Sequence, residues 1–472
     1  MVKSVAVIGA GPSGVIALDA LVQEQHFDRI RVFERRSEAG GCWIYDESPP
    51  EPLPKNLKSL ATRTADKPLD QEIPNWDELP KYAPKSKRQR FIDTATYSYL
   101  ESNVHYQTME FPHEPFPQGG SELSVSKYGP NTPFRHNTKI KKWVQNIYQS
   151  KKLDDLLEFD TSVELVEKNK STNQWDILLR KFGKTQDYLW KESFDAVVVA
   201  SGRYDVPYIP YVEGLDQFYQ TPGKTVIHTK AYRTREEFRN KKTIVVAGSI
   251  SSQDTVQDIV NVVKGQVISS VRSTSVPHVY FGWYAFDHPN VRKQKNLVKI
   301  ENDTAIFEDG SKEEDIDAII FGTGYTVSYP FLPHLERTEH RVKHIYQHVL
   351  NIEDPTLTFV GNIAAGLTFK AFLWQAVLSA RYLAGRVKLP SKKDQYEWEE
   401  QRLKERGDTP KYSALVPDFK QYFETVRLLA GNEGPGRKLP PFDEEWENAF
   451  WSGHQRRINY WVRNNYKVGS KL

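Results

Sequence analysis

The chain has 472 residues, too many for one simple core, so two domains, or three with an insertion, are expected. Hydrophobic residues make up 39%, mean hydropathy is −0.61 and 64 basic face 61 acidic residues, a globular and near-neutral profile that favours neither nucleic acid nor an anionic membrane as partner. Cys42 is the single cysteine, which excludes internal disulfides, a CxxC redox pair and a cysteine-based zinc site, and fits a reducing compartment.

In chain order, Val5–Ile8 reads as a buried strand, followed by Gly9-Ala10-Gly11-Pro12-Ser13-Gly14 and a helix over Val15–Gln25. Lys3 and the apolar run after it mimic a secretion signal, but Gly9, Gly11, Pro12 and Gly14 interrupt the run. The first glycine makes the tight turn, the second admits a pyrophosphate against bare backbone, and the third lets helix and strand pack closely. Glu34, twenty residues after Gly14, is placed to accept the ribose hydroxyls, and the unit reads as an FAD site. Arg35, Gly41, Cys42 and Trp43 follow; the pair Gly40-Gly41 offers bare backbone to the flavin. Trp43 either walls the flavin or fills core, and Cys42 reads as a small buried filler.

Eight prolines between Pro49 and Pro84 make residues 48–90 a surface excursion, and Lys81, Lys85, Lys87, Arg88 and Arg90 read as a solvated basic loop. Further buried parallel strands are expected at Ala196–Ala200, Ile244–Ala247, Val267–Val271 and Ala318–Phe321, with a helix at Thr255–Val263. The fold class is therefore α/β, with two Rossmann-like dinucleotide-binding domains, the second inserted into the first: residues 1–205, then the insertion 206–320, then 321–472 with a helical cap over 391–472. The apolar stretch Phe359–Gly385 carries Asn362, Lys370, Gln375 and Arg381, so it reads as a buried helix and not a membrane span. Arg272-Ser273-Thr274 ends a strand with arginine and no acid, which suits the 2′-phosphate of NADPH; a plain surface arginine is the other reading. The last residues, Ser470-Lys471-Leu472, match the peroxisomal import tripeptide, or else are a frayed terminus; without import the chain would be cytoplasmic.

Val5 to Trp43, ending FERRSEAGGCW, resembles the opening of the flavin-containing monooxygenases, and further motifs agree in order over nearly the whole chain. VVVASGRYDVP at 197–207 resembles the family's first linker, and FGTGY at 321–325 its second, where Gly322 is usually Ala. Phe159-Asp160-Thr161-Ser162-Val163 resembles the adenine-holding strand, with Val163 the contact, and Pro355–Gly361 the segment leading to the helix below the flavin. The second fingerprint, G-x-G-x-S-G-x-D in the family, reads Ala247-Gly248-Ser249-Ile250-Ser251-Ser252-Gln253-Asp254, with Ala, Ser and Ser for its three glycines. These residues are small, so the turn can form if its backbone angles stay negative, and Ser249, Ser251 and Ser252 can offer hydroxyls to phosphate; loss of dinucleotide binding is the alternative. In the family's F-x-G-x3-H-x3-Y motif the phenylalanine is missing and one residue is inserted before His228; Tyr232 keeps its spacing and favours this family over Baeyer–Villiger enzymes.

The resemblance implies FAD and NADPH as cofactors, O2 as co-substrate, and a C4a-hydroperoxyflavin that oxygenates a small amine or sulfur compound. Ser102-Asn103-Val104-His105 before Met109-Glu110-Phe111 resembles the family's T-N-x-P and M-x-F, which makes Asn103 the catalytic candidate, its amide over the flavin; a turn-forming asparagine is the alternative. Ala200, Ser201, Gly202 and Thr323 join the expected cofactor contacts, and Ser273 accompanies Arg272. His228 is expected to order the inter-domain hinge. No metal site is expected, and a homodimer is one expected assembly. An oxidase that releases hydrogen peroxide and a non-catalytic flavin-holding protein are the competing functions.

Overall fold

The computed structural model describes residues 1–62, 73–86, 90–272, 278–364 and 366–469, the last four by backbone alone. Lys87, Arg88, Ser273, Thr274 and the terminal Ser470-Lys471-Leu472 lie outside the described residues.

Strand β1 (Ser4–Ile8) leads through the glycine turn into helix α1 (Pro12–Gln23) and strand β2 (Arg29–Phe33). β1 pairs in parallel with β2, Val5 opposite Ile30, and on its other edge with β3 (Ala196–Val199), Val5 opposite Ala196. The apolar residues on both faces of β1 and β3 are buried, Val5, Val7, Ala196 and Val198 against helices and Ala6, Ile8, Val197 and Val199 against the antiparallel strands of residues 161–194, which is why neither strand alternates. These three strands are the centre of a sheet that continues through Leu357–Phe359 on one side and Leu157–Glu158 on the other. Helix α1 begins earlier than Val15 because Pro12, with its fixed φ and no N–H to lose, takes the first helical position.

A second sheet is built wholly from residues 225–321. It contains β4 (Thr225–His228), β5 (Thr243–Val246), β6 (Val267–Ser270) and β7 (Ala318–Phe321), with helix α2 (Ile250–Ile259) between β5 and β6. Its order is Val291–Gln294, β6, β5, β7, β4, and every pair is parallel. The chain leaves the first sheet and returns to it along neighbouring paths. Tyr208 N donates to Gly324 O at 2.9 Å and Thr326 N to Val206 O at 2.9 Å, so the two linkers form a short antiparallel ribbon.

Charge and packing hold that ribbon. Lys230 Nζ, buried, donates to Asp205 O at 2.7 Å and Phe91 O at 3.0 Å and pairs with Asp93 at 3.0 Å. Arg35 donates to Asp205 Oδ1 at 3.0 Å and to Arg90 O at 3.0 Å. His228 ends β4 with no exposure, its ring 5.0 Å from that of Tyr325 and its Nδ1 accepting from Lys230 N at 3.1 Å. The Lys81–Arg90 segment is not simply solvated: Lys81–Pro84 pairs antiparallel with Gln186–Leu189, and Arg90 ion-pairs with buried Glu164.

Helix α3 (Thr368–Leu383) lies along α1, as the apolar stretch requires, and helices at Phe419–Ala430 and Glu444–Gly469 close the same core. That core also takes in Tyr280, Phe281 and Ala285 of the inserted unit, so the C-terminal cap covers both units and not the first alone. No helix among the described residues is long and apolar enough to cross a membrane.

Burial holds the His228 imidazole down to about 3, below an unfolded value of about 6.5. The unfolded chain therefore takes up the proton first. Stability from this site is complete above pH 6.5 and is lost progressively as pH falls towards 3. Urea unfolding at pH 7.5 and pH 5 should show a lower midpoint at pH 5, and His228→Gln should shrink that difference.

Candidate functional site: two uncapped helix N-termini

The two strand–turn–helix units have nearly the same backbone. Gly9 has φ +101° and Ala247 φ +96°; Gly11 caps α1 at φ −72°, ψ −174°, and Ser249 caps α2 at φ −86°, ψ −176°. Neither cap makes a side-chain hydrogen bond to its helix. Each helix thus presents unsatisfied amides and the positive end of its dipole, the arrangement that receives a phosphate group.

In the first unit the glycines act by contact. A Cβ at Gly9 would lie 2.7 Å from Ala200 O, and one at Gly14 would lie 1.9 Å from Gly9 O. Ser13 Oγ donates to Ala200 O at 3.1 Å, tying the turn to the Ala200-Ser201-Gly202 linker. Gly11 and Gly41 face each other, and a Cβ on Gly41 would lie 2.8 Å from Gly11 Cα. Glu34 is buried; its oxygens accept from Ala10 N at 2.7 Å and Arg36 N at 2.8 Å, each retaining a lone pair for a ribose hydroxyl. Burial raises the Glu34 carboxyl against the pull of those amides and of Arg35 and Arg36. Val163 lies on an edge strand, bulged at Glu164 where the register slips between Val163 and Leu165. Ser201 Oγ and Trp43 Nε1 are buried with no hydrogen-bond partner among the described residues. Bare glycine cradles, an uncapped helix and orphaned donors fit FAD.

Several expected contacts are placed differently. Cys42 is not a buried filler. Its side chain is exposed at a position near Tyr204 and Tyr325, yet the chain crowded around it, with Asp205 adding to the effect, pushes the thiol up to about 12, so it stays protonated. Burial rather than the nearby carboxylate is the larger cause. Trp43 packs edge-on against Phe369, at 6.3 Å between rings, on the border of the main core. The fork of Arg35 is taken up by the hinge and does not point a free guanidinium at a cofactor. Thr323 donates its hydroxyl to Tyr208 O at 2.5 Å, bracing the linkers.

The second unit corrects two expectations. Ala247 does not keep a negative φ; it holds the glycine conformation at +96°, a strain of about 1–3 kcal/mol for a residue with a Cβ. Ser252 does not offer its hydroxyl to phosphate. It is fully buried, within hydrogen-bond reach of Val246 O (3.3 Å) and Gly322 O (3.4 Å). A Cβ at Gly322 would lie 2.2 Å from Ser252 Oγ. The two units therefore share one solution with its members exchanged: a glycine on the helix beside an alanine on the linker (Gly14, Ala200), and a serine on the helix beside a glycine on the linker (Ser252, Gly322). Ser249 and Ser251 are exposed at the helix start and remain available. Arg272 is exposed just after β6, whose end adjoins the turn, since a Cβ on Gly248 would lie 3.5 Å from Val271 Cγ1.

Between the units, Tyr99 and Tyr232 donate to the same carboxylate oxygen of Asp258 on α2, at 2.6 and 2.5 Å, with Arg235 at 3.5 Å. Tyr232 of the H-x3-Y element is thus an inter-unit anchor. Asn103 lies on a turn held by Ser102, whose Oγ donates to Val104 O at 3.0 Å and accepts from Arg135 N at 3.1 Å. The Asn103 side chain is half-buried and makes no hydrogen bond with another described residue.

Residues 120–283 and 288–433 match the family model described as flavin-binding monooxygenase-like, and residues 6–107 match one for FAD-NAD(P)-binding. The chain belongs to the flavin-binding monooxygenase family. It is 30% identical to the Arabidopsis thaliana flavin-containing monooxygenase FMO GS-OX3 over 82% of this chain and 75% of that protein, and 26% identical to ustF2 of Aspergillus flavus over 82% and 83%. In fold it is similar to S-allyl-L-cysteine S-oxygenase from Allium sativum, with a TM-score of 0.74 at 20% identity over 100% and 99% of the two chains. Cyclohexanone monooxygenase in its open form has a TM-score of 0.58 at 13% identity, over 91% and 97%. Membership makes this chain an FAD- and NADPH-dependent monooxygenase.

Sequence reasoning missed Asp258, Tyr99 and the exchange between positions 252 and 322, because each depends on contacts across more than 65 residues of chain. The glycine at 322 and the serine at 252 were the available signal. Gly322→Ala should lower stability by about 1–3 kcal/mol through overpacking, and Ser252→Gly in the same chain should restore part of it, since the backbone of residue 252 still lies 3.0 Å from the added Cβ; a denaturant-unfolding double-mutant cycle reads the coupling.

Proposed function

We propose that this monooxygenase transfers one oxygen atom to a soft nitrogen or sulfur nucleophile, using NADPH and O2. The observation that carries the reading is the pair of uncapped helix N-termini, one per unit, each behind a turn held at φ near +100°. FAD held at the first would supply the oxygen-activating chemistry once reduced by NADPH held at the second. The chain's own part is placement. Glu34, Gly9, Gly11 and Gly41 hold the dinucleotide against bare backbone, while Ser249, Ser251 and Arg272 receive the NADPH phosphates. The Asn103 amide, which makes no hydrogen bond with another described residue, would be free to orient oxygen at a bound flavin, and the linker ribbon would help exclude water. No covalent enzyme intermediate is required, in keeping with a Cys42 thiol pushed up to about 12.

A second reading, release of hydrogen peroxide, draws support from the strain at Ala247, which would loosen NADP+. An assay of NADPH consumption under air, with peroxide and oxygenated product counted together, separates the two. Thioethers come first, because the likeness to a thioether S-oxygenase runs the length of the chain. Product formation that tracks NADPH use supports oxygenation; peroxide in full yield with every amine and thioether sinks it. Asn103→Ala should cut product by about 100-fold or more while FAD stays bound, and NADH should replace NADPH poorly unless Arg272 is removed.

Import into peroxisomes is proposed from Ser470-Lys471-Leu472 alone. A fluorescent protein fused to the N-terminus should report punctate localisation that deletion of these three residues abolishes; an unchanged pattern would refute it.

A further inference from the structure

The helix Glu444–Gly469 lies beyond the residues matched to the family, and one face of it touches both halves of the site. At Gly453 it crosses the Asn103 turn at close range, where a Cβ would lie 3.1 Å from His105 N and 3.2 Å from His105 Cβ. One turn further on, Arg457 reaches the inserted unit and ion-pairs with Asp254, the acid that closes the second fingerprint on α2. Arg457 is 5% exposed, and its guanidinium lies over Phe281 and Trp461, at 4.6 and 5.0 Å from the ring centres. Flanking residues repeat the bridge: Arg456 Nη1 donates to Asn131 O at 2.9 Å on the flavin side, and Asn465 Nδ2 to Tyr284 O at 3.1 Å on the inserted unit.

We infer that Arg457 is a positioning residue for NADPH: the C-terminal helix holds the start of α2 in register with the Asn103 turn and so compensates for the lost fingerprint glycines. The physical grounds are three. The α2 turn carries strain at Ala247, so its bound form needs support from outside the turn. A buried arginine between two aromatic rings is rigid, and its charge must keep its carboxylate partner. The same helix fixes the Asn103 turn at Gly453, four residues from Arg457, so a shift at one end is felt at the other. This rests on the reading of α2 as the NADPH site.

The test uses the FAD-loaded full chain and titrates NADP+ calorimetrically. Arg457→Met, which keeps an apolar stem on the rings, and Asp254→Asn should each weaken NADP+ by about tenfold or more and raise peroxide formed per NADPH. The double variant should be no weaker than the worse single, and Arg457→Lys should recover most of the affinity. FAD content and melting temperature, measured on each, separate this from general unfolding. Unchanged NADP+ affinity in Arg457→Met or Asp254→Asn with FAD retained overturns the inference. If Arg457→Met fails to fold, Asp254→Asn and Arg457→Lys decide alone. A wild-type chain that binds no NADP+ overturns the NADPH reading as well, and is told apart by that control.

Discussion

Unpaired amides at two helix starts set the terms for this molecule. A helix cannot satisfy its own first N–H groups, and here neither N-cap side chain does so. Such ends are tolerable when an anion is the intended partner, and they are useful only if the preceding turn is tight enough to aim them. The tightness comes from residues 9 and 247, both at φ near +100°, and from the linker that crosses each turn at contact distance. Packing at the linkers is thus part of phosphate recognition, although Ala200 and Gly322 offer no polar side chain to a ligand.

The relation between the two units rests on polar groups that burial makes selective. Lys230, Arg35, Asp93 and Asp205 meet at the ribbon where the chain enters the inserted unit. Desolvation lowers the lysine while the two aspartates work against that shift. Removing one member would strand another in a dry setting, at a cost of several kcal/mol, whereas sliding the units slightly would weaken all contacts at once. Two phenols sharing one Asp258 oxygen add directionality from the opposite side. Both sets favour one fixed arrangement of the units over a loose hinge.

Much of this was legible in the amino-acid order. The strands at Val5, Ala196, Ile244 and Ala318 were readable because full burial on both faces gives unbroken apolar runs, and Gly14 because a helix touching a strand leaves it no room. What stayed hidden has a common cause. Ser252 looks like a phosphate ligand in the one-dimensional motif, and only the proximity of residue 322 turns its hydroxyl inward. Ala247 suggested negative φ by residue preference, and the tertiary demand of the turn overrode it. Cys42 has the size of a core filler, but its side chain is exposed while its neighbour Trp43 is the one that packs on the core. Arg457 was one cation among many until the helix carrying it was placed across both units.

The exchange at 252 and 322 also constrains the order in which it can have arisen. With glycine at 322, either glycine or serine fits at 252, whereas with alanine at 322 a serine hydroxyl would collide at 2.2 Å. Shortening the linker residue is therefore the permissive first step, and it is silent with respect to the helix. Once serine fills the space, the route back through alanine is closed. A small change in a connecting segment thereby decides which residue the neighbouring helix can carry, while the inserted unit keeps the backbone of its partner.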